Sequence, residues 1–310
     1  MPAPRVKKLL VICGPTATGK TRLAVHLAKI FEGEIISADS RQIYRTMNIG
    51  TGKDLHLAAK IWGYDLVDPG KEFSVAQYCR YAFDIIHNFF KKGVLPILTG
   101  GTGLYIKAVV DGIATVDIPK NDNLRKILEE KKPEELFESL AQIDSLKAAA
   151  MNYSDKQNPR RLIRAIEVAT WRIDNQEEQK NGRGLGLSTN QVLFVGLTAP
   201  LAYLSCLIEK RIRQRIKDGV EREIKDLVDG GVSWETQAMT SLGYRQWRGY
   251  FEGQTSKEES IKAWKREEIK YMRRQLTWFK NNRRINWFDI SLPGYGEKVE
   301  NMVKKWYSRS

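Results

Sequence analysis

Gly14-Pro15-Thr16-Ala17-Thr18-Gly19-Lys20-Thr21 is a G-x-x-x-x-G-K-[ST] run, entered directly from the apolar stretch Leu9-Leu10-Val11-Ile12-Cys13. A buried strand that turns into such a loop makes a diphosphate cradle. The backbone N–H groups of Gly14 to Thr21 close around phosphate oxygens, Lys20 adds a point charge, Thr21 offers a hydroxyl to Mg²⁺, and a following helix presents its positive end. Leu23, Ala24, Leu27, Ala28 and Phe31 recur at helical spacing after the loop, so the strand–loop–helix context is complete.

Working outward, Glu34–Asp39 and Val94–Thr99 read as further strands, short, apolar and bounded by breakers, with helical patterns between them. That rhythm predicts an α/β fold: a P-loop NTPase-like parallel sheet flanked by helices. From about residue 119 to 190 the pattern changes to charged helical segments without an apolar strand run, which predicts an inserted helical subdomain. Gln191–Thr198 reads as the return to the sheet, and Ile285–Ile290 as a last strand. The expected organisation is therefore 1–118 for the first part of the core, 119–190 for the insertion and 191–310 for the rest of the core. Asn181–Gly186 reads as a flexible loop.

The 310 residues suffice for a full α/β core and a second lobe. No apolar run approaches the roughly 20 residues that span a bilayer, so a cytoplasmic protein without membrane contact is expected. Cys13, Cys79 and Cys206 are odd in number and widely spaced, which suggests neither disulfides nor a zinc site. The net charge of +14 is uneven: residues 260–310 hold thirteen Lys/Arg against five Asp/Glu, interleaved with Trp264, Tyr271, Trp278, Phe279 and Trp287. Cations beside aromatic faces suit a polyanion with stackable bases, and next to a diphosphate site nucleic acid is the expected partner. Trp278 itself is expected in the core. In the insertion, Asn158-Pro159-Arg160-Arg161-Leu162-Ile163-Arg164 opens a helix with proline early, and Arg160 and Arg164, four apart, are expected to project together toward phosphates.

Ligands of open α/β sheets bind beyond the carboxyl ends of the strands, where the phosphate loop, Asp39-Ser40-Arg41-Gln42 and Gly100–Tyr105 should converge. Asp39 is the carboxylate expected within reach of whatever the diphosphate carries, with a helix cap or a Mg²⁺-water contact as its alternative roles. A kinase or ATPase would place an acid at the end of a later strand, and Thr99-Gly100-Gly101-Thr102 supplies none. That weakens phosphoryl transfer and leaves diphosphate as a candidate leaving group.

With these residues the chain resembles the bacterial tRNA dimethylallyltransferases. The resemblance runs from about residue 9 to 290. It rests on Gly14–Thr21, Asp39–Tyr44 with Gly50-Thr51, Gly100–Tyr105, Asn158–Leu162, Arg211–Arg215, Leu242–Gln246 and Arg273–Phe279, in that order. It implies prenyl transfer from dimethylallyl diphosphate to the exocyclic amine of the adenine just 3′ of the anticodon, with Mg²⁺ as cofactor and the tRNA anticodon stem-loop as partner. Asp39 would be the general base, Thr102 a contact near the reacting centre, and Arg215 the arginine opposite the phosphate loop. Lys20 and Thr21 would contact diphosphate and Mg²⁺. The tRNA contacts would be Ser40, Arg41, Gln42, Arg160, Arg161, Arg164, Gly243, Tyr244, Arg245, Arg273, Arg274, Gln275 and Lys280. The sequence lacks the zinc-finger extension of eukaryotic relatives, which favours the bacterial type, and a monomer is expected. Adenylate isopentenyltransferases share the phosphate loop and the Asp-Ser segment but need no large basic surface. A nucleotide-gated RNA-binding protein would leave Asp39 and Thr102 without work.

Overall fold

A computed structural model describes residues 7–57, 59–176 and 184–308. The chain folds as two compact units, one drawn from Met1–Val110 and Leu185–Ser310, the other Asp111–Gly184.

The first unit is built on six strands: β1 (Leu9–Cys13), β2 (Gly33–Ser37), β3 (Ile61–Trp62), β4 (Leu95–Gly100), β5 (Val192–Thr198) and β6 (Ile285–Asp289). All are parallel, in the order β3-β2-β4-β1-β5-β6. β1 sits inside the sheet, with Val11 opposite Leu98 of β4 and Phe194 of β5. Both of its faces are covered, which is why it reads as an unbroken apolar run rather than an alternation.

Alternation reappears in the packing. Leu9, Val11, Cys13, Ile36 and Leu98 point to the side covered by α2 (Val75–Lys91) and α3 (Gly103–Val110), against Tyr78, Ala82, Ile86, Tyr105 and Val109. Leu10, Ile12, Ile35, Ile97 and Val195 point to the other side, against Leu23, Ala24 and Leu27 of α1 (Lys20–Phe31).

The second unit contains α4 (Asp122–Glu129), α5 (Pro133–Ile143), α6 (Ser145–Ala149), α7 (Tyr153–Lys156) and α8 (Pro159–Asp174), around Leu128, Leu136, Leu140, Leu162 and Ile166. The Asn158 side chain caps α8 by accepting from Arg161 N–H, and Pro159 takes the first turn, where no amide partner is needed.

Back in the first unit, α9 (Leu201–Lys217), α10 (Val220–Asp229), α11 (Arg248–Phe251), α12 (Lys257–Lys280) and α13 (Tyr295–Tyr307) complete the chain. α13 adds Val299 and Val303 to the α1 side of the sheet. Facing residues of α9, α10 and α12 enclose a further apolar cluster that includes Ile43, Tyr44, Met47, Tyr244, Trp247 and Trp264.

The sheet bears out the α/β expectation and adds β3, whose two residues are too few to show a period. Asp39 lies two residues past the end of β2 rather than within it. Of the expected loop Asn181–Gly186, residues 181–183 lie outside the described residues. Trp278 is a correction: it is 46% exposed on α12, its ring lying against Gly103 at the start of α3. Met272, Leu276 and Phe279 take the inward stripe of that helix and leave Trp278 at its edge.

Candidate active site

The phosphate loop leaves β1 through Gly14, whose φ of +133° and whose approach to the Leu197 carbonyl leave no room for a side chain. A Cβ there would sit 2.3 Å from that oxygen. The loop then folds on itself. Thr18 Oγ1 and Lys20 Nζ both donate to the Pro15 carbonyl, at 2.9 and 2.6 Å.

Two side chains from distant elements brace it further. Gln275 of α12 accepts from Thr16 N–H at 2.8 Å and donates to the Gly101 carbonyl at 2.9 Å, tying the phosphate loop to the loop after β4. Arg211 of α9 donates to Thr16 Oγ1 at 2.8 Å.

These segments line a cavity of about 570 Å³, which takes in Lys20, Thr21, Asp39, Arg211, Arg215 and Glu268. Thr16, Ala17 and Gly19 also face it, whereas Gly14, Pro15 and Thr18 form the back of the loop. Asp39 takes the Arg41 N–H on Oδ1 at 2.9 Å, a local turn that fixes the carboxylate. Thr102 Oγ1 accepts from Ser40 N–H at 3.0 Å and donates to Ser40 Oγ at 3.4 Å, so the Asp39–Ser40 turn and the loop after β4 meet at one hydroxyl.

Seven cations (Lys20, Arg22, Arg41, Arg211, Arg215, Arg245 and Arg274) line this space against three carboxylates (Asp39, Asp54 and Glu268). Two of them, Lys20 and Arg215, are crowded and hold their protons less firmly. Burial and then the Arg211 charge bring Lys20 down to about 8, opposed by Asp39 and Asp54. Burial and Arg211 likewise bring Arg215 down to about 10, opposed by Glu268, whose carboxylate lies 3.3 Å from its guanidinium. The Arg215 Nε has no partner among the described residues. A polyanion bound here would relieve both effects.

A pH dependence follows. Above about pH 8 the free protein loses the Lys20 charge, so affinity for inorganic diphosphate falls as pH rises through 8, and binding near pH 8 takes up a proton. Calorimetry in buffers of different ionisation enthalpy measures that uptake. Lys20 also makes stability rise between about pH 8 and its unfolded value of 10.5, because the unfolded chain holds the proton more tightly there.

The expected RNA-contacting residues divide. Ser40, Arg41, Arg245 and Arg274 line the cavity, and Arg273 and Lys280 are exposed on α12. Gln42 and Gln275 line the cavity too, with their amides spent on hydrogen bonds inside the protein, whereas Tyr244 is turned inward, which corrects the expectation that it faces RNA. Gln42 accepts from Ser37 Oγ and donates to the Gly52 carbonyl. Tyr244 is fully buried, its hydroxyl on Glu223 at 2.7 Å. Gln275 is the brace described above. Gly243 packs against the Trp264 ring and offers no side chain.

In the second unit Arg160 is exposed and Arg161 pairs with Asp155. Arg164 does not project beside Arg160. Its guanidinium donates to the Thr115 and Ile118 carbonyls at 2.8 and 2.9 Å and lies 3.3 Å from buried Glu167.

The sequence alone points to no role for Arg211, Glu223 or Glu268. Arg211 shares a helix face with Arg215 at i, i+4, and that spacing was the available signal.

The chain matches the family model described as IPP transferase over residues 42–282, and the one described as isopentenyl transferase over residues 7–62. It is 39% identical over 297 residues to tRNA dimethylallyltransferase 2 of Trichlorobacter lovleyi, covering 94% of this chain and 93% of that one. It is 37% identical over 288 residues to the tRNA dimethylallyltransferase of Anoxybacillus flavithermus, covering 92% and 91%. The full-length tRNA isopentenylpyrophosphate transferase of Bacillus halodurans superposes with a TM-score of 0.72 at 33% identity, covering 97% of both chains. A eukaryotic dimethylallyltransferase acting on tRNA shares the fold, with a TM-score of 0.79 at 22% identity over 96% of this chain and 78% of that one.

Proposed function

We propose, since the chain belongs to the IPP transferase family, that it transfers a dimethylallyl group from dimethylallyl diphosphate to the exocyclic N6 of the adenine just 3′ of the anticodon in tRNA, releasing diphosphate. The observation that carries this reading is a single cavity joining a phosphate loop, a turn-held carboxylate and two arginines from another element.

Adenine's exocyclic amine is a poor nucleophile, its lone pair delocalised into the ring. As nitrogen forms its bond to the allylic carbon, the C–O bond to diphosphate breaks and the leaving group takes the electron pair. Asp39 accepts the proton the nitrogen sheds, a task worth about 10²–10⁴-fold. Lys20, Arg211 and Arg215 stabilise the charge growing on the departing diphosphate, where preorganised donors have most effect. Thr102 steadies the turn that carries Asp39.

No three His, Cys, Asp or Glu gather as a metal cage among the described residues. The donor set fits Mg²⁺ held by the Thr21 hydroxyl together with phosphate oxygens and waters. When bound, that ion neutralises charge on the diphosphate.

A base stacked in an anticodon loop cannot reach this cavity, so the adenine must be flipped out. The exposed cations of α12, Arg273, Arg274 and Lys280 with Trp278 among them, suit the flanking tRNA backbone, and Arg160 and Arg161 offer further cations on the second unit. No helix among the described residues is long and apolar enough to cross a membrane. A monomer working on tRNA in the cytoplasm accords with this reading.

Arg274→Ala is expected to weaken all tRNA substrates about equally and to flatten the slope of log K against log salt by about 0.7–0.9, the loss of one phosphate contact. An unchanged slope would make α12 a solvated face. The reaction itself is checked by incubating unmodified tRNA with dimethylallyl diphosphate and analysing nucleosides by mass spectrometry. Prenylated adenosine should accumulate together with diphosphate, without ATP. RNA-stimulated ATP hydrolysis at roughly 1–100 s⁻¹ with no prenylated product would contradict the assignment.

A further inference from the structure

Residues 48–52 form a tight loop between the cavity arginines on one side and α10 on the other. Its backbone amides point away from the cavity. Those of Asn48 and Ile49 donate to Glu223 Oε2 at 2.7 Å each, and that of Gly50 donates to Oε1 at 2.9 Å. The Tyr244 hydroxyl donates to the same Oε1 at 2.7 Å. Three consecutive amides and one phenol are thus gathered by one carboxylate, as a bound anion is held in a backbone nest. Only a carboxylate offers two acceptor oxygens with lone pairs for four donors.

The cavity side of the same loop carries the arginines. Gly52 has φ of +68°, and a Cβ on it would lie 2.2 Å from Arg215 Nη2 and 2.3 Å from Arg211 Nη2. Both guanidinium tips therefore rest on bare backbone, a contact only glycine permits. The Gly52 carbonyl also accepts from Arg211 at 3.4 Å and from Gln42 at 3.0 Å. The loop is thus one support of the two guanidiniums, beside Thr16 for Arg211 and Glu268 for Arg215.

We infer that Glu223 is a positioning residue of the diphosphate subsite: by gathering the amides of Asn48, Ile49 and Gly50 it fixes the platform on which Arg211 and Arg215 are aimed. This rests on the donor-site reading above. Glu223→Gln keeps the volume but removes one acceptor oxygen and brings an NH₂ group against the Gly50 amide or the Tyr244 hydroxyl. The loop would shift, and the arginines with it.

The experiment is calorimetric titration of inorganic diphosphate with Mg²⁺ into the full chain, alongside tRNA binding and thermal unfolding. Glu223→Gln should weaken diphosphate about tenfold, the cost of misdirecting a charge-assisted contact, while tRNA affinity stays within about twofold. Tyr244→Phe, which loses one donor and keeps the ring, should shift diphosphate affinity in the same direction by less, and carries the test if Glu223→Gln fails to fold. Wild-type diphosphate affinity in either folded variant overturns the inference, even where the melting temperature drops. A wild-type protein that binds no diphosphate overturns the donor-site reading and this inference with it.

Discussion

Asp39→Ala lowers turnover at least about a hundredfold and leaves tRNA affinity nearly unchanged, because it removes a proton acceptor and no phosphate contact. Single-turnover kinetics at saturating tRNA measures it. The competing role for Asp39 is structural: its Oδ1 holds the Arg41 amide and shapes the turn. Asp39→Asn separates the two. Asparagine can accept the same hydrogen bond but cannot take the proton, so a base predicts that Asn is nearly as slow as Ala, and a turn cap predicts near-normal turnover for Asn.

Lys20→Ala should cost about 10²–10³-fold in kcat, the usual loss when one preorganised donor to a developing negative charge is removed. Among the described residues its ammonium donates to the Pro15 carbonyl of its own loop alone, so the fold should survive and the loss can be read as chemistry. Added ATP should not restore activity. Arg215→Ala should impair the same step with a second effect on top. It leaves Glu268, which is 7% exposed, without its cationic partner, and breaking a buried pair from one side costs about 3–5 kcal/mol of stability. A lower melting temperature is therefore expected for Arg215→Ala and not for Lys20→Ala. A Lys20→Ala protein with wild-type kcat would contradict the leaving-group assignment.

The parts of the fold legible in the sequence were those whose signal is local. Leu9–Cys13, Leu95–Gly100 and Val192–Thr198 are buried on both faces and announce themselves as apolar runs, and the phosphate loop carries its chemistry within eight consecutive residues. Strand order was not legible, since β1 lies between β4 and β5 only after long crossovers. Ile61–Trp62 was missed because two residues show no period.

At the site, Asp39 stood out as a lone carboxylate following a buried strand. Glu223, Glu268 and Arg211 did not, because each sits in a charged helical stretch that reads as a solvated face. Their burial comes from packing against residues far along the chain: Glu223 is 173 positions from Gly50, and Arg211 is 195 from Thr16. The brace made by Gln275 was not legible for the same reason. Its flanking arginines, Arg273 and Arg274, are exposed, and only the helix phase turns Gln275 inward to the phosphate loop. Trp278 was misassigned, since an aromatic beside Phe279 reads as core until the phase puts it on the rim.

The central claim is that one cavity takes a prenyl group from its diphosphate and delivers it to an adenine within tRNA. The most direct measurement offers the protein radiolabelled dimethylallyl diphosphate with Mg²⁺, unmodified tRNA and AMP in equal concentration, and follows where the label goes. Label entering tRNA at the adenine 3′ of the anticodon, with little in AMP and none transferred by Asp39→Ala on the same timescale, is the predicted result. Label entering AMP in preference to tRNA, or remaining in the diphosphate, would contradict it.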